Sequence, residues 1–276
     1  MEGVLVMVNG LPGNMAKTVC RHVIADPRFD LLPFSLTGPE ITDAACDVEG
    51  IRVELIVPQN APERLQEILQ RHKVFITVDY THPSAVNANG ALYCSLGLPF
   101  VMGTTGGDRR ALALLVEHSQ TSAVIAPNMA KQIVGFTAMM DFMATNFPGI
   151  FKGWELSIQE SHQKGKADTS GTARAMVKYF NAMGADFSEE QIEKERDPQT
   201  QATVWGVPKE YLKGHAYHTY SLVSPDKTVK FAFSHNVNGR EIYASGTMDA
   251  IAFLAKKIQG GVCGMVYSME DVLKNA

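Results

Sequence analysis

The stretch Glu160-Ser-His-Gln-Lys-Gly-Lys-Ala-Asp-Thr-Ser-Gly-Thr-Ala173 gathers a carboxylate, an imidazole, ammonium groups and hydroxyls into one short span. His162 and Lys166 are residue types that donate or relay a proton in general acid catalysis. The N–H groups of Gly171 and Thr172, at the start of the helical segment that follows, have no acceptor within their own helix. With the positive end of the helix dipole they make a place for a carboxylate or phosphate. An anion held there would meet a general acid. Taken alone, the stretch also reads as a solvated, lysine-bearing loop capped by Ser170 or Asp168.

Two elements must position it. Before it, Trp154 to Gln159 alternates apolar and polar residues, with Trp154, Leu156 and Ile158 in one phase, as a half-buried strand does. After it, Thr172 to Met183 carries strong helix formers and apolar residues at helical spacing. This reading puts His162, Lys164 and Lys166 on a loop aimed at a helix start.

A second chemical signal opens the chain. Val4 to Val8 is a short apolar run of the kind covered on both faces of a parallel sheet. It leads into Asn9-Gly10-Leu-Pro-Gly13-Asn14-Met15-Ala16 and then a helical segment from Lys17 to Ala25. Gly10 and Gly13 between strand and helix suit a turn whose backbone approaches a pyrophosphate, with Ala16 as the third small residue. The next strand is read over Leu31 to Phe34, followed by Ser35, Leu36, Thr37 and Gly38. No acid stands there to hold an adenosine ribose, and Ser35, Thr37 and Lys17 are the donors nearby. That leans towards NADPH, with NADH possible.

Strand and helix then alternate: a helix over Ala61 to His72, a strand over Val74 to Asp79, and a helix ending near Leu96. A strand over Phe100 to Met102, a helix over Asp108 to Ser119 and a strand over Ala123 to Ala126 follow. Loops at Gly10, Ser35, Thr81, Gly103 and Ala126 fall at the carboxyl ends of these strands, the edge where open α/β sheets bind ligands. His82 reads as a surface imidazole. In the helix Lys131 to Asn146, Met139, Met140 and Met143 read as core or subunit contact. Beyond about residue 150 the pattern changes to strands with long connections. Tyr217 to Leu222 and Val229 to His235 alternate as antiparallel strands, and the charged run Glu189 to Asp197 reads as a solvated connection. His215, His218 and His235 read as structural. The closing helix Tyr243 to Ile258 and a helical tail near Met269 to Leu273 return towards the first domain.

Composition narrows the class. The chain has 276 residues and a formal charge of -4 without a basic run, which argues against nucleic acid as the main partner. Cys20, Cys46, Cys94 and Cys263 stand far apart and read as buried free thiols, so no metal site is expected. No apolar run approaches the roughly 18 residues a membrane span needs. The N-terminal residues lead straight into a strand, giving a cytoplasmic reading, with the plastid stroma as the alternative for a trimmed form.

The order of these motifs, with Val78-Asp-Tyr-Thr81, Phe100 to Asp108, Ala126-Pro-Asn128, His162-x-x-x-Lys166, Ser170-Gly-Thr172 and Gly214-His215-Ala216, resembles the dihydrodipicolinate (4-hydroxy-tetrahydrodipicolinate) reductases, plant-type branch, over essentially the whole chain. The resemblance implies an α/β protein: an N-terminal Rossmann-type parallel sheet, and a second α/β domain with a mixed or antiparallel sheet for substrate and oligomer contacts. Residues 1–130 plus 241–276 would form the first and residues 131–240 the second. It implies NAD(P)H-dependent reduction of a small dicarboxylate in the diaminopimelate route to lysine, by a homo-oligomer, dimer or tetramer. His162 and Lys166 inherit the catalytic roles, and Thr105, Gln163, Ser170, Gly171 and Thr172 the substrate contacts. Gly10, Gly13, Asn14, Met15, Ser35, Thr37, Gly103, Thr104, Thr105, Ala126, Asn128 and Met129 are the cofactor candidates. Gln163 and Thr169 replace a second His and a Pro found in many bacterial members, and Ala16 replaces a third glycine. Two other readings remain: a different Rossmann-type dehydrogenase of small anions, and a non-enzymatic NADPH-sensing protein.

Overall fold

The computed structural model describes residues 3–275 and divides into two units, one running to Lys131 and resuming at Glu241, the other spanning Gln132–Arg240. In the first, β1 (Val4–Asn9) leads through the glycine turn into α1 (Asn14–Ala25), and β2 (Phe29–Leu31) and β3 (Phe34–Leu36) follow. Then come β4 (Ala45–Val48), β5 (Ile51–Ile56), α2 (Ala61–His72), β6 (Ile76–Asp79) and α3 (Val86–Ser95). β7 (Phe100–Met102), α4 (Arg109–Glu117) and β8 (Ala123–Ile125) complete the first pass. The second unit runs α5 (Lys131–Asn146), β9 (Glu155–His162), α6 (Gly171–Ala182), β10 (Glu193–Glu195), α7 (Pro198–Thr203), β11 (His215–Val223) and β12 (Lys230–Asn238). The chain then returns with α8 (Glu241–Gln259), β13 (Val266–Tyr267) and α9 (Met269–Lys274).

Among the described residues the main sheet is parallel and six-stranded, in the order β13-β8-β7-β6-β1-β2. Covered by helices, its central strands are buried nearly throughout; all four residues of β6 are buried, Thr77 and Asp79 included. Strand order reverses between β1 and β6, the switch point at which open α/β sheets hold their ligands. Below it, Leu65, Ile68, Phe75, Tyr93, Phe100 and Leu112 form the core, with the Tyr93 and Phe100 rings 5.3 Å apart. α8 closes over β6, β7 and β8, and a Cβ at Gly246 would stand 1.8 Å from the Met129 carbonyl oxygen, so only glycine permits that approach.

Three differences from the sequence reading lie here. The strand expected over Leu31 to Phe34 is two strands broken at Leu32-Pro33: β2 stays on the main sheet, while β3 joins a small sheet in the order β3-β5-β4. Proline has no N–H to give to a ladder, and the chain changes sheets there. The β4–β5 hairpin was missed because its strands alternate weakly; its turn, Glu49-Gly50, has both φ angles positive, 52° and 81°. β13 is too short to carry a periodic signal.

The second unit holds a four-stranded mixed sheet in the order β10-β9-β11-β12, parallel between β10 and β9 and antiparallel elsewhere. One face, Leu156 and Ile158 with Tyr220 and Leu222, packs against Met176, Val177 and Phe180 of α6 and Met140 of α5. Of the methionine stripe Met140 is buried in the core, Met143 packs against it half-buried, and Met139 is 45% exposed. The cysteines are free, yet only Cys20 is buried and Cys263 is exposed, contrary to the expected burial of all four.

Candidate active site

Alternation in β9 does not stop at Ile158. Glu160 and His162 continue the inward phase of Leu156 and Ile158, so two polar side chains lie on the buried face of the strand, Glu160 0% and His162 8% exposed. His162 is therefore the last strand residue and not part of the loop, as the sequence reading had it. Lys164 and Lys166 are in the connection, which turns through a Lys166 N–H bond to the Gln163 carbonyl.

A buried carboxylate needs compensation. Glu160 accepts from His162 Nδ1, and Arg196 grips it with two bonds, Nη2 to Oε1 at 2.7 Å and Nη1 to Oε2 at 3.0 Å. The Ser170 N–H adds a bond to Oε1 at 3.3 Å. Burial alone would raise this carboxyl, but the bonds and charges of His162 and Arg196 outweigh it and hold it down at about 2. Glu160 is thus an anion that ties a strand end, a helix cap and a distant arginine together.

Ser170 is the N-cap of α6; its Oγ accepts from Ala173 N–H at 3.4 Å. Asp168, the other cap candidate, instead takes the Lys166 ammonium at 2.7 Å and is 68% exposed. Gly171 is exposed, Thr172 half-buried, and the first turn of α6 carries no acid. The start of α6 is thus joined to the His162 imidazole through Glu160, while the Lys166 ammonium, on the connection between them, is bound by Asp168. Gln163, on the same connection, is half-buried and makes no side-chain bond among the described residues.

Sheet register adds residues that sequence reasoning set aside. His218 pairs with Glu160 across β11 and with His235 across β12, so the three share one face. His218 Nε2 and Ser170 Oγ are 2.8 Å apart, and its ring meets that of His162 edge-on at 5.2 Å. Burial drives His218 well below the usual histidine range and, with the nearby His162 charge, brings His235 to about 4. Both rings are neutral near pH 7. His215, held 2.9 Å from Ser161 Oγ, is lowered by burial too. Gln201, 0% exposed, donates Nε2 to the His162 carbonyl at 2.7 Å and to that of Glu195 at 3.2 Å, fastening β9 to β10. The one signal for these partners was Glu160 itself, an acid in an apolar phase that calls for a cation; nothing local says which.

In the first unit the glycine turn is built for a close ligand. Gly10 has φ 109°, and a Cβ there would stand 2.2 Å from the Tyr80 carbonyl oxygen; one at Gly13 would stand 2.7 Å from that of Gly10. α1 starts at Asn14 and Met15 with no side-chain cap and no acid in its first turn, leaving its N–H groups to an anion. These features fit a dinucleotide. Ser35 and Thr37, expected as cofactor donors, are instead buried braces of the turn: Ser35 Oγ accepts the Leu11 N–H at 3.2 Å, and Thr37 Oγ1 donates to the Leu11 carbonyl at 2.6 Å. Glu40 comes back over Gly38, where a Cβ would meet its carboxylate at 2.3 Å, so an acid stands where the sequence reading found none.

At the switch point, Asn9 Nδ2 donates to Tyr93 Oη at 2.9 Å, and Tyr93 donates to Asp79 Oδ2 at 2.7 Å. Asp79 also accepts from Thr81 Oγ1 and Thr104 Oγ1, each at 2.7 Å, and from Asn89 Nδ2 at 2.9 Å. The hydroxyl of Thr104 is thus spent on the fold. Gly103 lies under the Tyr80 ring, and Thr105 is exposed with no side-chain bond. Ala126 and Met129 are buried, and Asn128 Oδ1 accepts the Ala130 N–H at 2.9 Å. Arg109 was overlooked: it donates Nη2 to the Thr104 carbonyl at 3.0 Å, and its buried Nη1 has no partner.

A chloroplastic probable 4-hydroxy-tetrahydrodipicolinate reductase 1 of Oryza sativa subsp. japonica is 46% identical over 98% of this chain and 78% of its own length. The chloroplastic reductase 2 of Arabidopsis thaliana is 46% identical over 99% of this chain and 78% of its own. A solved dihydrodipicolinate reductase from Paenisporosarcina sp. TG-14, described as dipicolinate-bound, shares the fold with a TM-score of 0.65 at 19% identity, covering 98% of this chain and 99% of its own. The family models for the N-terminus and C-terminus of dihydrodipicolinate reductase match residues 4–129 and 133–273. The glycine turn on a parallel sheet and the His162 and Lys166 pair before a capped helix are therefore features of a chain that belongs to the dihydrodipicolinate reductase family.

Proposed function

We propose that this chain reduces 4-hydroxy-tetrahydrodipicolinate to tetrahydrodipicolinate in the diaminopimelate route to lysine. The observation that carries the reading is the end of β9: buried Glu160 is bound at once to His162, to the Ser170 N–H at the start of α6 and to Arg196, which also holds the Lys166 carbonyl. A different dehydrogenase of small anions would not require that constellation, and a sensing protein would have no use for its acid.

The N–H groups of Gly171 and Thr172, with Lys166 beside them, take one substrate carboxylate, where charge-assisted bonds are strongest. Gln163 offers a further hydrogen bond to the ring or its second carboxylate. Gly10, Gly13, Asn14 and Met15 cradle the coenzyme pyrophosphate, and Gly103, Thr104, Ala126, Asn128 and Met129 line the rest of its path. When bound, a dihydronicotinamide supplies the hydride and becomes the oxidised coenzyme. Loss of the 4-hydroxyl as water would leave an imine conjugated to a C=C bond that ends at C4; hydride would add at C4, and the electron pair displaced to the ring carbon between C4 and the imine carbon would be closed by a proton there. Lys166 donates that proton as the general acid, and His162 stabilises or relays it.

The coenzyme is NADPH in this reading, supported by the lack of an acid between Ser35 and Gly38. A second reading, NADH, is favoured by the Glu40 carboxylate over Gly38, which would accept ribose hydroxyls and repel a 2′-phosphate. Exposed Phe142, Phe147 and Phe231 support a homo-oligomer formed through the second unit. The chloroplastic names of the plant relatives support the plastid stroma over the cytoplasm.

The test is coenzyme oxidation, followed by absorbance, with substrate generated in place by the preceding synthase, using NADPH and NADH with the parent and with Lys166→Ala and His162→Ala. Turnover should fall roughly 100-fold or more in each variant, the scale of lost general acid catalysis, while coenzyme affinity holds. Equal loss of both would sink the assignment of Lys166, and a parent that binds NADPH without turnover would return the sensing reading.

A further inference from the structure

Arg196 lies in the charged run Glu189 to Asp197, which the sequence presents as a solvated face. In the structure it is half-buried one residue past β10, and all five of its N–H donors are engaged. Two go to Glu160, as described. Of the others, Nε donates to the Lys166 carbonyl at 2.9 Å, Nη2 to the Asp168 carbonyl at 3.4 Å, and Nη1 to the Glu195 carbonyl at 2.8 Å. A guanidinium so saturated has no donor left for a substrate carboxylate.

What it does hold is the connection that carries Lys166. That connection has little else to fix it: Lys164, Gly165, Ala167 and Asp168 are exposed, and a Cβ added at Gly165 would touch nothing within 4 Å. Apolar packing cannot set the position of the Lys166 ammonium. Through Glu160 the same guanidinium reaches His162, whose Nδ1 is engaged by the carboxylate, leaving Nε2 as the atom that exchanges a proton.

We propose that Arg196 is a positioning residue for the reduction: one guanidinium, bound at once to Glu160 and to the backbone of the 163–169 connection, fixes the imidazole of His162 and the ammonium of Lys166 relative to each other and to the start of α6. This rests on the reductase reading. Burial of the partner supports it, for Glu160 at 0% exposure can be an anion only while its cation is in place. Lysine would not serve, because three donors on one nitrogen cannot span a carboxylate and three carbonyls.

Arg196→Ala and Arg196→Lys, each checked for folding by thermal unfolding, test this against the parent. Three quantities are read: kcat, the dissociation constant of NADPH by fluorescence, and that of dipicolinate as a dicarboxylate probe. Misplacement of about 1 Å costs on the order of 100-fold in rate, so kcat should fall by that order in Arg196→Ala and stay well below the parent in Arg196→Lys. NADPH affinity should be unchanged and dipicolinate affinity reduced. Added guanidinium ion should restore part of the turnover and dipicolinate binding of Arg196→Ala, but not of Arg196→Lys, whose side chain fills the space. A folded variant of either kind with parental kcat and dipicolinate affinity overturns the proposal, and so does a parallel loss of NADPH affinity. If Arg196→Ala does not fold, Arg196→Lys decides. If the parent shows no turnover, the reductase reading fails, while dipicolinate binding and its rescue still judge the role of Arg196.

Discussion

At Ser170 one hydroxyl serves two neighbours, capping α6 through Ala173 N–H and meeting His218 Nε2 at 2.8 Å. Removing it takes away the cap and leaves His218 buried with no hydrogen-bond partner among the described residues, since its Nδ1 has none already. Losing a cap costs about 1 kcal/mol, and an unsatisfied buried group adds about 1–3 kcal/mol. Ser170→Ala should therefore lower unfolding stability by about 2–4 kcal/mol by denaturant titration. Two residues away, Asp168→Ala should change stability by less than about 0.5 kcal/mol, because its ion pair with Lys166 is exposed. A Ser170→Ala effect as small as that would mean the hydroxyl supports neither partner.

Among the elements, the β1–α1 turn is the one most constrained by its backbone. Gly10 combines φ 109° with a Tyr80 carbonyl oxygen 2.2 Å from where a Cβ would stand, and its N–H donates to the Leu36 carbonyl at 2.8 Å. A methyl group there must push β1 away from β6 at the switch point. Gly10→Ala should weaken coenzyme binding at least roughly 10-fold, as titration of coenzyme fluorescence would show, if the turn serves, as proposed, for backbone approach to the pyrophosphate. Parental affinity in a folded Gly10→Ala would mean that this turn does not hold the nucleotide. β9 teaches the complementary lesson: its inward side chains turn polar after Ile158, yet its backbone pairing continues through His162 opposite Ala216.

For the whole molecule, acid sensitivity follows from which groups are buried. An unfolded histidine titrates near 6.5, whereas burial brings His235 to about 4 and lowers His215 and His218 as well. Below pH 6.5 the unfolded chain then binds more protons than the folded one, so stability falls as pH drops from 6.5 towards 4. Glu160, lowered from 4.5 to about 2, extends the loss into that lower window. The unfolding midpoint should therefore fall steadily from pH 7 to pH 4, and His235→Gln should flatten the slope. A midpoint independent of pH over this range would mean that these histidines are not buried in neutral form. Among the described residues no helix is long and apolar enough to cross a membrane.

Local order along the chain was enough for several features. Apolar runs marked β1, β6, β7 and β8, helical periodicity marked α2, α5 and α8, and the spacing of Gly10 from Gly13 placed a turn between β1 and α1. Such patterns are legible because a strand or helix repeats its burial every few residues. Tertiary structure decided what has no period. Only sheet register sets His218 beside Glu160 and His235 beside His218, only the return of the chain after α6 delivers Arg196 to a carboxylate 36 positions away, and only the fold of the glycine turn draws the hydroxyls of Ser35 and Thr37 inward. A buried charge specifies that it needs a partner but not which one, because any cation that the topology can bring within hydrogen-bond distance satisfies the same electrostatics.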